Sequence, residues 1–98
     1  MAKSIIQEDK THCFICGRNA NADYFGLDEH HCFSGARRKL SEHYGLKIYI
    51  CHNTCHLEGV HKKAELDNMV KSIVQQRAMQ YYEWSEDDFR RIFGKSYL

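Results

Sequence analysis

The chain has 98 residues, of which 43% are apolar and 28% charged, and its formal net charge is +1 with neutral histidines. These values exclude a low-complexity or fibrous chain and predict a single globular domain over residues 1–98. A chain of this length buries only about 60–65% of its unfolded surface. Its free energy of unfolding is therefore small unless something besides the core stabilises the fold.

The first half of the chain predicts a metal-binding turn, a strand and a short helix. Residues 1–11 are mostly polar and are predicted to form a loosely attached lead-in. A Cys-x-x-Cys-Gly turn at 13–17 precedes an extended segment predicted over 24–31. A short basic helix is then predicted over 36–43, with Gly45 just beyond its end.

The second half predicts one more strand and then helices. Apolar and bulky residues alternate over 46–50, which is the clearest strand pattern in the chain. A short helix should follow, with an interruption near Gly59. Residues 62–98 are predicted to form two packing helices, the second of which begins at the N-cap Ser85. This order of elements predicts one α+β domain.

No apolar run approaches the roughly 18–20 residues of a membrane span, and the first ten residues lack the apolar core of a signal peptide. We therefore expect a cytoplasmic protein without membrane contacts. Disulfides are rare in that compartment, and clustered cysteines there more often bind metal.

Cysteines and histidines are clustered along the chain. There are five cysteines and seven histidines, and ten of these twelve residues lie within the segments 12–16, 30–32 and 51–56. Buried core cysteines and solvent-exposed histidines would be scattered. The clustering therefore predicts metal binding.

Two cysteine pairs are predicted to hold one structural zinc ion: Cys13 with Cys16, and Cys51 with Cys55. The first pair has the spacing of a zinc knuckle, in which a tight turn directs both sulfurs at one ion. The second pair has three intervening residues, so a helix must begin there to bring its sulfurs to one side. His12 or His52 replacing one cysteine is the alternative, and Cys32 is expected to be a buried residue.

Two adjacent histidines, His30 and His31, end the first predicted strand. Neighbouring residues on a strand point to opposite faces, so one imidazole would bind a second ion while the other faces a substrate. This division suits hydrolysis, in which one group anchors the metal and another takes a proton from water. His56 directly follows a zinc-binding cysteine and would be held beside the strand.

The spaced motifs resemble those of the HNH endonuclease superfamily, especially its small phage and prophage members. The similar residues are the Cys13-x-x-Cys16-Gly turn, the stretch HH-x-x-x-G-x-x-R-K-x-S-x-x-YGL from His30 to Leu46, Leu46 to Cys51, the pairs Cys55-His56 and Val60-His61, and the closing Phe93 to Leu98. The resemblance covers about residues 13–98. It implies a zinc-stabilised ββα-metal core, similar to a treble clef, with additional C-terminal helices. It also implies that the protein acts in the cytoplasm of a bacterial host.

The resemblance also implies a role for each histidine. His31 would be the general base, while His30, His56 and His61 would bind a catalytic divalent metal such as Mg2+, Mn2+, Ni2+ or Zn2+. His56 and His61 lie about 140° apart on a regular helix, so they share an ion only if the helix stops near Gly59. His52, four residues before His56, is the competing ligand.

The implied activity is metal-dependent hydrolysis of DNA phosphodiester bonds with little sequence specificity. Arg37, Arg38 and Lys39 lie between the strands, beside the predicted metal site, where they would bind phosphates. The asparagine that usually supports the base in this family has no counterpart at 45–47. This leaves open a non-catalytic zinc module that binds nucleic acid or a host protein, for example a phage-encoded inhibitor, and thirdly a structural phage component.

Overall fold

The computed structural model describes residues 3–22 and 26–98, in which two strands and several helices follow in the predicted order. They are β1 (Leu27–His31), α1 (Arg38–His43), β2 (Lys47–Cys51), a π-helical segment (His52–Val60), α2 (Ala64–Tyr82) and α3 (Glu86–Phe93). Short 3-10 turns lie at Ala20–Ala22 and Gly35–Arg37. The predicted α+β class is confirmed. The strand predicted to start at residue 24 is described from Leu27, because residues 23–25 lie outside the described part.

The two strands form an antiparallel pair in which His30 lies opposite Ile48 and His31 lies opposite Lys47. Side chains alternate between the faces of a strand, so His30 and His31 point to opposite sides of the sheet, as predicted. All five residues of β2 are buried. A strand buried throughout needs cover on both faces.

The N-terminal segment lies along the outer edge of β2, so the prediction of a loosely attached lead-in is wrong for its described residues. The Ile5 amide donates to the Gly45 carbonyl over 3.0 Å, and the Gln7 side-chain oxygen accepts from the Tyr49 amide over 2.7 Å. Ile6 is buried in the hydrophobic core. A sheet edge presents unpaired backbone groups, and this segment satisfies some of them although its own composition is polar.

A π-helical segment follows β2 where the sequence predicted a regular helix interrupted near Gly59. Hydrogen bonds in a π-helix join residues five apart, and the His61 amide donates to the His56 carbonyl in this pattern over 3.2 Å. Gly59 is buried, and a Cβ atom there would lie 3.1 Å from the Leu66 side chain. Gly59 therefore allows the segment to pack closely against α2 and does not end it.

The C-terminal helices pack on the sheet through an aromatic group. Phe89 and Phe93 of α3 stack with ring centroids 4.6 Å apart, and both contact Phe33 after β1. Both α3 rings are buried in the hydrophobic cluster that also contains Ile6 and the core residues of β2. The helices and the sheet therefore share one core. Within the described residues, no helix is both long and apolar enough to cross a membrane.

Ser85 caps the N-terminus of α3. Its hydroxyl accepts from the Asp88 amide over 3.1 Å, and the Asp88 carboxylate accepts from the Ser85 amide over 2.9 Å, which forms a reciprocal capping box. We expect Ser85→Ala to lower the free energy of unfolding by about 1 kcal/mol, because the first turn loses a hydrogen-bond acceptor. Urea denaturation measures this loss.

The matched control is Ser34→Ala. Ser34 precedes a 3-10 turn, and its side chain makes no capping hydrogen bond there. A change of equal size in both variants would show that the capping box contributes nothing specific to α3.

Candidate metal centres

Four cysteine sulfurs converge beside the sheet, and the residues are those that the sequence predicted. Cys13 and Cys16 come from the N-terminal turn, Cys51 ends β2, and Cys55 lies in the π-helical segment; their sulfurs all lie within 4.8 Å of one another. The Cys16 and Cys51 sulfurs are 3.9 Å apart. Zinc bound by sulfurs at about 2.3 Å in a tetrahedron sets neighbouring sulfurs about 3.8 Å apart, so the spacing fits this ion.

The thiols are free, and their surroundings favour a thiolate at one of them. All five cysteines lie in the described part of the chain, and none forms a disulfide. Burial raises the pKa of Cys13, but hydrogen bonds from the backbone amides of Cys16, Cys51 and Ile15 outweigh it and lower that pKa to about 7. Burial raises the pKa of Cys55, beside the other three sulfurs. A cation would offset the repulsion among the thiolates.

The alternative ligands for this centre lie elsewhere. His12 is half-exposed and its Nδ1 atom is 3.2 Å from an Asp9 carboxylate oxygen. The His52 Nδ1 atom is 2.6 Å from an Asp28 carboxylate oxygen. Cys32 is buried in the core, and burial raises its pKa, as expected for a residue outside the metal centre. The four-cysteine set is the one that the structure brings together.

A second cluster consists of three imidazoles: His30 from β1, and His56 and His61 from the π-helical segment and its end. Their ring nitrogens lie within 4.8 Å of one another. The Nε2 atoms of His56 and His61 are 2.9 Å apart, and the His30 ring centroid lies 5.2 Å from that of His56. The π-helical hydrogen bonding brings residues five apart onto neighbouring turns. Because this segment is not a regular helix, the separation of about 140° does not apply to it. His56 and His61 come together although the segment does not stop at Gly59.

His30 is the buried member of the three-imidazole cluster. Its side-chain Nε2 is the one buried side-chain nitrogen or oxygen, among the described residues, that lacks a hydrogen-bond partner. Burial, helped by the nearby His56 and His61, lowers the pKa of His30 to about 4. A neutral imidazole keeps a lone pair, and a buried polar atom without a partner is costly unless an ion or another group satisfies it. The cluster therefore fits a divalent metal that takes nitrogen ligands.

Asp28 is a site residue that the sequence interpretation missed. Its Oδ2 atom lies 2.7 Å from His56 Nδ1 and 2.6 Å from His52 Nδ1. Burial raises the Asp28 pKa, but the hydrogen bonds from His56 and His52 outweigh it, and the pKa is lowered. A signal was present in the sequence, since Asp28 precedes His30 by two residues and must share its strand face.

His31, the predicted general base, lies on the other face of β1 among charged residues. Its Nε2 atom is 3.6 Å from a Glu42 carboxylate oxygen and 3.8 Å from a Glu29 carboxylate oxygen. The buried Lys47 ammonium lies 2.7 Å from Glu42 and 3.5 Å from Glu29. Lys47 supplies one positive charge against two carboxylates, so the ion-pair network around His31 keeps a net negative charge. The structure does not place His31 within the three-imidazole cluster.

The predicted phosphate-binding residues differ in their surroundings. Arg38 and Lys39 line a cleft together with His31, and both are exposed. The Arg37 guanidinium donates to the Phe93 carbonyl over 3.0 Å, at the C-terminal end of α3. A cation at that end also complements the helix dipole, so Arg37 supports the packing of α3.

Comparisons with protein-family models, curated proteins and solved structures find no significant match to this chain.

Proposed function

We propose that the protein is a metal-dependent endonuclease of the HNH type, which hydrolyses DNA phosphodiester bonds with little sequence specificity. The observation that carries this proposal is the convergence of three imidazoles beside a four-thiol cluster, with a buried His30 nitrogen that has no protein partner among the described residues. Three nitrogen ligands leave positions open for water and substrate, as hydrolytic metal sites require.

The four thiols would hold a structural zinc ion in a treble-clef-like core. Four sulfur ligands close the coordination sphere, so this ion would join distant parts of the chain and take no part in the reaction. The second cysteine pair sits where β2 passes into the π-helical segment, and His56 follows Cys55 directly. The structural ion would thereby hold His56 opposite His30.

The second divalent ion, such as Mg2+, Mn2+, Ni2+ or Zn2+, would supply polarisation of the scissile phosphate and stabilisation of the leaving oxygen. His30, His56 and His61 would bind and orient it through Nε2 atoms. The buried position of His30 fixes one side of the site, while the exposed His61 lies on the side open to solvent. A phosphate could therefore approach from the His61 side.

His31 is proposed to accept the proton of the attacking water. It ends β1 next to His30, so a phosphodiester lying across this strand end would contact the three-imidazole cluster on one side and His31 on the other. The neighbouring Glu42 and Glu29 carboxylates would stabilise the imidazolium that forms. Arg38 and Lys39, in the same cleft, would bind the flanking phosphates.

The test is plasmid cleavage by the purified full chain with magnesium, manganese or nickel. We expect His30→Ala to abolish cleavage because the metal site loses its buried ligand. His31→Ala should lower the rate about 10²- to 10⁴-fold, as for loss of a general base. His43→Ala is the matched control, since His43 is exposed on α1 and lies outside both clusters; its rate should be unchanged.

Cleavage that persists in His30→Ala would overturn the proposal. Absence of cleavage with every metal, in protein that retains its zinc, would favour the second candidate, a zinc module that binds nucleic acid or a host protein. That candidate is supported by the position of His31, whose side chain lies on the face of β1 opposite to the three-imidazole cluster.

A further inference from the structure

Asp28 contacts two histidines of the π-helical segment from the strand that carries His30. One carboxylate oxygen, Oδ2, lies 2.6 Å from His52 Nδ1 and 2.7 Å from His56 Nδ1. These distances are typical of hydrogen bonds to a charged acceptor. An ionised carboxylate only accepts hydrogen bonds, so each of these Nδ1 atoms carries a hydrogen.

The contact fixes the tautomer of His56. With its proton on Nδ1, a neutral His56 presents a lone pair on Nε2, the atom that lies 2.9 Å from His61 Nε2. Metal-binding histidines usually donate their second ring N–H to a carboxylate, carbonyl or water, which orients the ring and strengthens the ligand. Asp28 makes this contact from β1, on the strand face that it shares with His30.

We propose that Asp28 is a positioning residue for the second metal ion. It holds His56 in the Nδ1–H tautomer and so directs Nε2 at the ion. The hydrogen bond from His52 holds the Asp28 carboxylate in place. This inference rests on the proposed three-imidazole metal site. In this arrangement His52 is a hydrogen-bond partner of Asp28 and not a ligand of the second ion.

Asp28, His52 and His56 also lie close enough together to form a metal site of their own. Both imidazoles contact the same carboxylate oxygen, Oδ2, through their Nδ1 atoms, which is the arrangement of two N–H donors on one acceptor. An ion at that place would also leave the buried His30 Nε2 without a partner. Hydrogen bonding therefore describes this group better than shared coordination.

The test is a titration of the zinc-loaded full chain with Ni2+, in which isothermal calorimetry measures the Kd. The wild type should bind one further ion. Asp28→Asn should raise the Kd for Ni2+ about 10- to 100-fold, as for loss of an outer-shell carboxylate. Asp87→Asn is the matched control, because the same change removes one negative charge from an exposed residue of α3 outside both clusters, and its Kd should stay within about twofold of wild type.

Imidazole 15N NMR of the zinc-loaded chain tests the tautomer directly. The wild type should show His56 protonated at Nδ1 and bare at Nε2, and Asp28→Asn should show a mixture of tautomers. This readout would not respond to a loss of stability alone. An unchanged His56 tautomer in Asp28→Asn, with an unchanged Kd, would overturn the inference.

Two further variants distinguish a failure of this inference from a failure of the proposed metal site on which it rests. His61→Gln should abolish Ni2+ binding, whereas His52→Gln should change the Kd less than Asp28→Asn does. Loss of binding in His52→Gln with retention in His61→Gln would overturn the inference, because His52 would then be the ligand. If the wild type binds no second ion, the proposed metal site fails; if it binds and Asp28→Asn binds equally well, only the role of Asp28 fails.

Discussion

Replacing Cys55 with serine is expected to abolish zinc binding and cooperative unfolding. Cys55 links the π-helical segment to the sulfurs of three other cysteines, which come from the N-terminal turn and the end of β2. Apparent zinc-binding free energies of structural sites are about 10–16 kcal/mol in zinc-finger peptides, as large as the whole stability of a typical domain. Serine offers no thiolate, and a chain with a small core should not fold without the ion. Metal analysis and thermal circular dichroism measure both effects.

The matched control is Cys32→Ala. Cys32 is as buried as Cys55 but lies outside the cluster, so this variant should keep its zinc and lose only about 1–2 kcal/mol. EDTA treatment of the wild type should reproduce the Cys55→Ser result. A wild-type chain that contains no zinc and melts at the same temperature with and without EDTA would contradict the structural role of the ion.

Phe89→Ala should cost about 3–5 kcal/mol of unfolding free energy, because it leaves a cavity in the core. Phe89 is fully buried, stacks on Phe93, and meets Phe33 at an angle with ring centroids 5.4 Å apart. In a domain of this size each kcal/mol shifts Tm by about 4–8 °C, so Tm should fall by at least about 12 °C. Urea denaturation of the zinc-loaded protein measures the free energy.

Tyr81→Ala is the control for this core prediction. Tyr81 is 64% exposed on α2, so its loss should change the free energy of unfolding by no more than about 0.5 kcal/mol. A Phe89→Ala variant as stable as Tyr81→Ala would mean that α3 does not pack on the sheet in solution.

Residue types and their spacing predict the class of the fold and much of the candidate site. The alternating pattern before Cys51 predicts β2, and the spacing of apolar residues predicts α2, because both patterns follow from burial of one side of a regular element. The four cysteines are recognisable as ligands because closely spaced pairs of thiols in a small chain are typical of zinc sites. Local patterns are sufficient for these features.

Contacts made between distant segments are not predictable in the same way. The composition of the N-terminal segment does not reveal its attachment, because its partners are backbone groups of β2. A π-helix leaves no distinct period in the sequence of residues 52–60. The spacing of His56 and His61 therefore predicts that they share an ion only if a regular helix stops near Gly59. The sequence places Asp28 on the strand face of His30, but its contact with His56 depends on the wide turns of the π-helical segment.

The π-helical segment carries residues of both candidate ion sites. Cys55 and His56 are consecutive residues, and His61 completes the second site one wide turn later. An ion held by the thiols would remove the conformational freedom of this backbone before the imidazoles bind anything, so the second ion would meet a smaller entropic penalty. By thermodynamic reciprocity, an ion bound by the imidazoles would raise the affinity of the thiols for their ion by the same factor.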